Sequence, residues 1–219
     1  MFTRNIRNVF RLSLACTMLC APLVVDADGT APPVTKATVL SLLPTGPDML
    51  DEAQMTNYRM LLNMGESAIP YLAEILSETK NSLVIRRILG IVAQCNGNRK
   101  AAVKPTKELF NRFSCNSKDA TRIRADAAQI IGAIGGTEDA SALYPLLEDT
   151  DERVQINALK SLAIIGNAES LTQLEANLDA RKKNTHGELQ SDVFFQESSK
   201  AAETIKRRLA EAQKPSESH

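Results

Sequence analysis

Side chains able to do acid–base, nucleophilic or metal chemistry are few in this chain, and their spacing does not serve such chemistry. There are two histidines, His186 in a polar stretch and His219 at the last position. They form no metal-binding pair, and neither stands in a recognisable arrangement with a serine or cysteine nucleophile. The acidic pairs Glu148-Asp149 and Asp151-Glu152 have the composition of an acid/base couple or a calcium site. They fall between two helical patterns, however, where carboxylates cap helix N-termini. No glycine-rich phosphate loop follows a strand, because strand-like alternation is absent. The sequence therefore offers no catalytic residues, no metal ligands and no cofactor site, and the expectation is a protein that is not an enzyme.

The elements that position the remaining side chains are legible from a repeat. Ile123, Ala127, Ala128, Ile131, Ile134, Gly135, Leu143 and Leu147 fall on Val154, Ala158, Leu159, Leu162, Ile165, Gly166, Leu174 and Leu178 after a shift of 31 residues. A period of that length marks stacked helical hairpins, since one hairpin cannot bury its apolar face alone. An earlier copy, with Val84, Ile88, Leu89, Val92 and Cys95, aligns at an offset of 39, the extra length lying around Gly97 to Pro105. A still earlier one holds Tyr58, Leu61, Met64 and Gly65. First helices are thus expected to end near Gly65, Asn96, Gly135 and Gly166, where glycine accommodates the left-handed conformation of a helix end. Second helices are expected at about Ser67–Ser77, Pro105–Phe113, Glu138–Glu148 and Glu169–Leu178. Pro70 falls in a first turn, where its missing amide costs little; Pro145 lies deeper, and a kink or irregular first turn is expected there.

The segment Ala120–Leu178 resembles the HEAT repeat class, especially the short HEAT-like or phycocyanobilin-lyase-type variety. The likeness rests on an acidic loop, a β-branched residue followed by arginine (Ile123-Arg124), a pair of small residues (Ala127-Ala128) and an aliphatic-glycine turn. It weakens back to Met55 and is absent at both ends. The resemblance implies an all-α fold, an α-solenoid of about four hairpin units. It also implies a ladder of loop aspartates and helix arginines, to which Asp119 and Arg124 would contribute one rung. Gln155 and Ile85 stand where the neighbouring units should carry arginine, with Arg86 and Arg153 as the nearby alternatives.

Outside the repeat the chain changes character. Arg4, Arg7 and Arg11 precede an uncharged run from Leu12 to Val25, followed by Val25-Asp26-Ala27, which reads as an export signal over 1–27 cleaved after Ala27. The run is about 14 residues and contains Pro22, short of the ~20 that cross a bilayer, so no stable membrane span is expected after cleavage. A mitochondrial presequence and a lipoprotein signal at Cys16 or Cys20 are the alternatives. Residues 28–49 read as a tether with a short helix near Val39–Leu43, 50–180 as the repeat domain, and 181–219 as a polar loop, a capping helix and a frayed tail. Phe194, Ala201, Ala202, Ile205 and Leu209 form the apolar side of that last helix, with Lys206, Arg207 and Arg208 toward water. An exported chain can form disulfides, but Cys95 and Cys115 would lie at opposite poles of one hairpin, roughly 15 Å apart at helical rise, too far to bridge.

Composition limits the partners. Basic and acidic residues balance at 26 each, and removing the signal leaves the chain slightly acidic, which argues against nucleic acid. The expected function is non-enzymatic binding of a protein or peptide, exported to the cell envelope or outside the cell, by the face of the second helices. Tyr71, Glu74, Lys107, Tyr144, Glu148, Gln173 and Glu175 are the candidate contact positions, with Asp119, Arg124, Gly65, Gly135 and Gly166 in structural roles. The alternatives are an accessory or lyase-type HEAT-like protein acting on a partner, and a structural subunit of an envelope assembly. The family also includes DNA glycosylases, which export and neutral charge disfavour.

Overall fold

The computed structural model describes residues 33–46, 50–184 and 193–213. The chain divides into a unit of residues 1–33 and a unit of residues 34–219, and the fold below is that of the second. The export signal, residues 28–32 and 47–49 of the tether, both histidines and the tail beyond Gln213 lie outside the described residues.

Every described element is helical. A short helix α1 (Lys36–Leu42) precedes α2 (Glu52–Met64), α3 (Ile69–Glu78), α4 (Ser82–Gln94), α5 (Val103–Arg112) and α6 (Lys118–Ile134). A 3₁₀ helix (Thr137–Glu148) follows, then α7 (Glu152–Ile165), α8 (Ala168–Asn184) and α9 (Val193–Ala212). One layer is made of the first helices, α2, α4, α6 and α7, each packed on the next; the other contains α3, α5, the 3₁₀ helix and α8. α9 packs on α7 and α8 in the way a further first helix would, burying Phe194, Ala201, Ala202 and Ile205. This is the capping helix expected from the sequence, and the fold is an α-solenoid.

Local sequence sets the starts. Asp51, Asn81, Ser117 and Asp151 each accept a backbone N–H of the helix that follows, satisfying orphan donors worth about 1 kcal/mol per cap. In α2 the cap is reciprocal: Asp51 accepts from Gln54 N at 2.7 Å while the Gln54 side chain accepts from Asp51 N. The acid-rich loops are therefore helix starts.

The glycines work differently from one another. Gly65 takes φ +55°, the left-handed conformation expected of it, and Gly97 takes φ +89°. Gly135 and Gly166 have extended backbone with negative φ, contrary to expectation. Their small size is needed for packing, since a Cβ on Gly135 would meet the Ile131 carbonyl at 2.7 Å and one on Gly166 would meet Ile205 at 2.8 Å.

Pro145 has the largest effect on the backbone. The whole second element of its unit winds as 3₁₀ helix, so the irregularity expected near the proline spreads over Thr137–Glu148. Three residues per turn align positions three apart, and Ala140, Leu143 and Leu146 form the buried stripe at that spacing. The C-terminal register also differs from expectation: α8 continues through Arg181 and Lys182 to Asn184 in place of a polar loop. Arg181 holds it there by stacking on the Phe194 ring, 3.5 Å from its centroid, and donating to the Leu147 carbonyl.

The closest helix contact is between α6 and α7. Ala125, Ala128 and Gly132 face Ala158 and Ser161, all buried, and Ser161 Oγ donates to the Ala128 carbonyl at 2.8 Å. A Cβ on Gly132 would lie 2.7 Å from the Ser161 Cα, a backbone neighbour that cannot swing away. Gly132→Ala is therefore expected to destabilise the fold by about 1–3 kcal/mol despite alanine's better helix propensity. Gly90→Ala, whose Cβ would approach only the Tyr58 hydroxyl at 3.3 Å, is expected to be neutral or stabilising. Urea unfolding of both variants tests the contrast.

Candidate functional site

The second-helix layer is open between α5 and the 3₁₀ helix. A groove of about 690 Å³ there has Lys104, Lys107, Glu108, Phe110, Asn111 and Ser114 on the α5 side and Ser141, Ala142, Pro145 and Leu146 on the other. A smaller hollow of about 240 Å³ extends it past Lys100 and Val103 to Gly136 and Glu138. The walls mix apolar surface with the neutral polar groups of Asn111, Ser114 and Ser141. Proline explains the low far wall: it forces a thin 3₁₀ helix and places Ser141, Ala142 and its own ring at the rim.

Two ion pairs hold the groove in shape. Arg124, 3% exposed, donates through Nε and Nη2 to the two Asp149 oxygens at 2.7 and 2.9 Å. Its Nη1 reaches the carbonyls of Phe113 and Cys115 at 2.6 and 2.8 Å. This forked geometry is the strong form of an arginine–carboxylate pair. It ties the end of α5 to the loop after the 3₁₀ helix. The second pair, Lys107 Nζ to Asp139 Oδ1 at 2.6 Å, crosses the groove at its other end. Burial alone would push the Asp139 carboxyl up, but the Lys107 ammonium and the Gly136 amide outweigh it and hold it below the ordinary carboxylate range.

The expected ladder rung is thus corrected. Arg124 pairs with Asp149 of the following loop. Asp119 stands exposed in the first turn of α6, where an acid suits the positive helix end. Gln155, in the arginine's place one unit on, donates to the Asp149 backbone carbonyl. Ile85 is fully buried. Of the alternatives, Arg86 bridges to the next unit through Asp126 at 3.3 Å, whereas Arg153 stays with Asp151 of its own turn.

Of the seven candidate contact positions, Lys107 alone lines the groove. Glu74 is paired with Lys36 of α1 at 2.9 Å, and Glu175 with Lys206 of α9 at 2.9 Å. The Tyr144 hydroxyl meets Ser170 Oγ at 3.0 Å, and Tyr71 is half-buried against the core. Glu148 and Gln173 are exposed. Arg208, expected to face water, instead donates to the Ala163 carbonyl at 3.0 Å. Sequence reasoning missed Asp139, Asn111, Ser141 and Ala142. The available signal was the apolar spacing of three in Ala140, Leu143 and Leu146, which marks the segment as 3₁₀ and so places its small residues along α5.

Cys95 is a buried free thiol whose pKa burial raises, and Cys115 is an exposed free thiol lowered mainly by its hydrogen bond with Ser117. Among the described residues no group of three or more His, Cys, Asp or Glu side chains could hold a metal ion, and no helix is long and apolar enough to cross a membrane.

A carboxylate held below its unfolded pKa adds stability at neutral pH that is lost as pH falls through the folded value. Asp139→Asn should therefore lower stability by about 1–2 kcal/mol near pH 7. The gap to the unsubstituted protein should close in acid once the native carboxyl is protonated. Urea midpoints taken across pH 2.5 to 7 (a range spanning about the ordinary carboxylate values) measure this.

The match to a family model agrees with the helical-repeat geometry. Residues 108–185 match the family model for HEAT repeats, a span from within α5 to just past α8 that includes the groove's far wall. Among solved structures the chain is similar to the designed armadillo repeat protein YIII(Dq)4CqI, with 19% identity, a TM-score of 0.43, and coverage of 78% of this chain and 99% of that one. No curated protein matches it. The described residues form an α-solenoid, of which residues 108–185 match the HEAT repeat family model.

Proposed function

We propose that this protein is a non-enzymatic, exported binding module that takes an extended segment of a protein partner in the groove between α5 and the 3₁₀ helix. HEAT and armadillo repeats are commonly protein-interaction scaffolds. The observation that carries the reading is the lining of the groove. Asn111, Ser114 and Ser141 can each donate and accept hydrogen bonds, which suits a peptide backbone, while Phe110, Ala142, Pro145 and Leu146 offer apolar contact to its side chains. Pocket volumes of about 300–1,000 Å³ are typical of ligand sites, and this one is open along its length. The contact surface is thereby narrowed from the whole second-helix face to one joint within it. The export reading rests on Arg4, Arg7 and Arg11 before the uncharged run.

Ala142→Arg is expected to fill the groove and abolish partner capture without unfolding the protein, because residue 142 is half-exposed. The check is a photo-crosslinking residue at Asn111 or Ser141, used in native cells. One discrete crosslinked chain, lost on adding Ala142→Arg, supports the groove. A crosslink that survives Ala142→Arg in a folded protein would rule it out. For export, intact mass of the protein from its native host should give an N-terminus at Asp28. An uncleaved chain in the cytosol would refute that half of the reading.

A further inference from the structure

The turn after α4 carries a pair of residues with covalent chemistry of its own. Asn96-Gly97 is the only Asn-Gly step in the sequence, and it stands where the chain leaves α4 for the extra length of the second unit. Both residues are exposed. Their flanks are fixed. Cys95 N closes α4 on the Ile91 carbonyl at 2.8 Å, Asn98 N donates to Glu66 Oε2 in the turn after α2 at 2.9 Å, and Arg99 donates to the Val92 and Ala93 carbonyls. Between these anchors, and among the described residues, neither the Asn96 side-chain amide nor the Gly97 N–H has a hydrogen-bond partner.

The fold requires the glycine of this pair. Gly97 takes φ +89°, a conformation that side chains resist, and a Cβ on it would meet the Glu66 carboxylate. Glycine is thus what lets the chain lay the Asn98 amide against Glu66. Asn96 meets no such demand, since it is exposed and its side chain is bonded to nothing. The pairing has a chemical consequence. With no Cβ on the following residue, nothing crowds the Gly97 nitrogen as it approaches the Asn96 side-chain carbonyl, and no hydrogen bond holds that nitrogen back.

We propose that Asn96 is a modification site, which converts without an enzyme to a mixture of aspartate and isoaspartate and so loosens the joint between the first two units. Hydroxide takes the proton from the Gly97 nitrogen, and that nitrogen forms a bond to Asn96 Cγ. The Cγ–Nδ2 bond breaks, and ammonia leaves with a proton from water. Water then opens the cyclic imide at one of its two carbonyls. Opening at Cγ gives aspartate; opening at the Asn96 backbone carbonyl gives isoaspartate, in which the main chain runs through the side-chain methylene. Water is the only co-reactant, and no group is oxidised or reduced. Isoaspartate lengthens the backbone immediately before Gly97, so the Asn98 N–H can no longer keep its place on Glu66. Both products also add a negative charge to the loop that the Glu66 carboxylate holds, and like charges repel. The site is remote in the chain from the α5 groove, and its chemistry does not depend on that groove.

The test ages the full chain at mildly alkaline pH, both folded and unfolded in urea, and follows every asparagine by peptide mapping and mass spectrometry. Enzymatic methylation counts the isoaspartate. In the folded chain Asn96 is expected to convert several-fold faster than any other asparagine, to approach its rate in the unfolded chain, and to convert faster as pH rises, because the step begins with loss of an amide proton. An Asn96 that stays amidated in the folded chain while the unfolded chain converts would overturn the site, since the loop would then be holding the pair apart. Asn96→Gln, whose longer side chain closes a less favourable ring, should abolish the change and leave the starting stability unaltered, because the Asn96 side chain has no partner to lose. The second readout is the joint itself. The isoaspartate form, separated by anion exchange, is expected to unfold at a lower urea concentration than the unreacted chain, whereas Asn96→Gln aged in the same way keeps its midpoint. Equal midpoints for the isoaspartate and unreacted forms, or the same loss of midpoint in aged Asn96→Gln, would overturn the loosening.

Discussion

A stack of short helices leaves many helix ends inside the structure, and each end presents carbonyls with no partner in its own helix. Arginines resolve this in every helix from α3 to α7. Arg112 donates to the Leu76 and Thr79 carbonyls at the end of α3. Arg99 takes Val92 and Ala93 of α4 and, with another nitrogen, Ala133 of α6. Arg124 takes Phe113 and Cys115 after α5, Arg181 takes Leu147 of the 3₁₀ helix, and Arg208 takes Ala163 of α7. A cation there also opposes the negative end of the helix dipole. Nearly all of these bonds join one unit to the next, so the same guanidinium that satisfies a helix end also sets the spacing of the stack.

Small residues do the complementary work along the helix sides. Where α6 meets α7, alanines, Gly132 and Ser161 let the backbones approach closely, and the Ser161 hydroxyl and the Asn157 amide bond directly to α6 carbonyls at 2.8 and 2.9 Å. Elsewhere Leu, Ile and Val fill the space, which a chain without tryptophan and with 4% aromatic residues must rely on. The array is therefore tightest in its third and fourth units. It loosens toward α2, where Leu61 alone is buried.

The candidate groove arises where the repeat departs from regularity. Pro145 converts one second helix to a thin 3₁₀ winding and opens a channel beside α5, with Arg124–Asp149 and Lys107–Asp139 bracing its two ends. In α4, the arginine of the repeat pattern has moved one place along, leaving Ile85 in the core and a half-buried Arg86 to bridge to Asp126 of the next unit.

What the sequence determined by itself was the periodic part of this protein. The recurrence of aliphatic and small residues at helical spacing is a local property, so the hairpin units, the core membership of Cys95, the N-terminal caps and the apolar side of α9 could all be read from the chain. Pro145 announced an irregularity for the same reason, since its missing amide acts on its own helix. Tertiary structure alone decided which partner each charged side chain found. Arg124 chose Asp149 over Asp119, Glu74 and Glu175 became tethers to α1 and α9, and Arg181 carried α8 past its expected end by stacking on Phe194. An ion pair depends on the distance between two charged groups, and groups 25 or more residues apart in the chain acquire that distance only when the units are stacked.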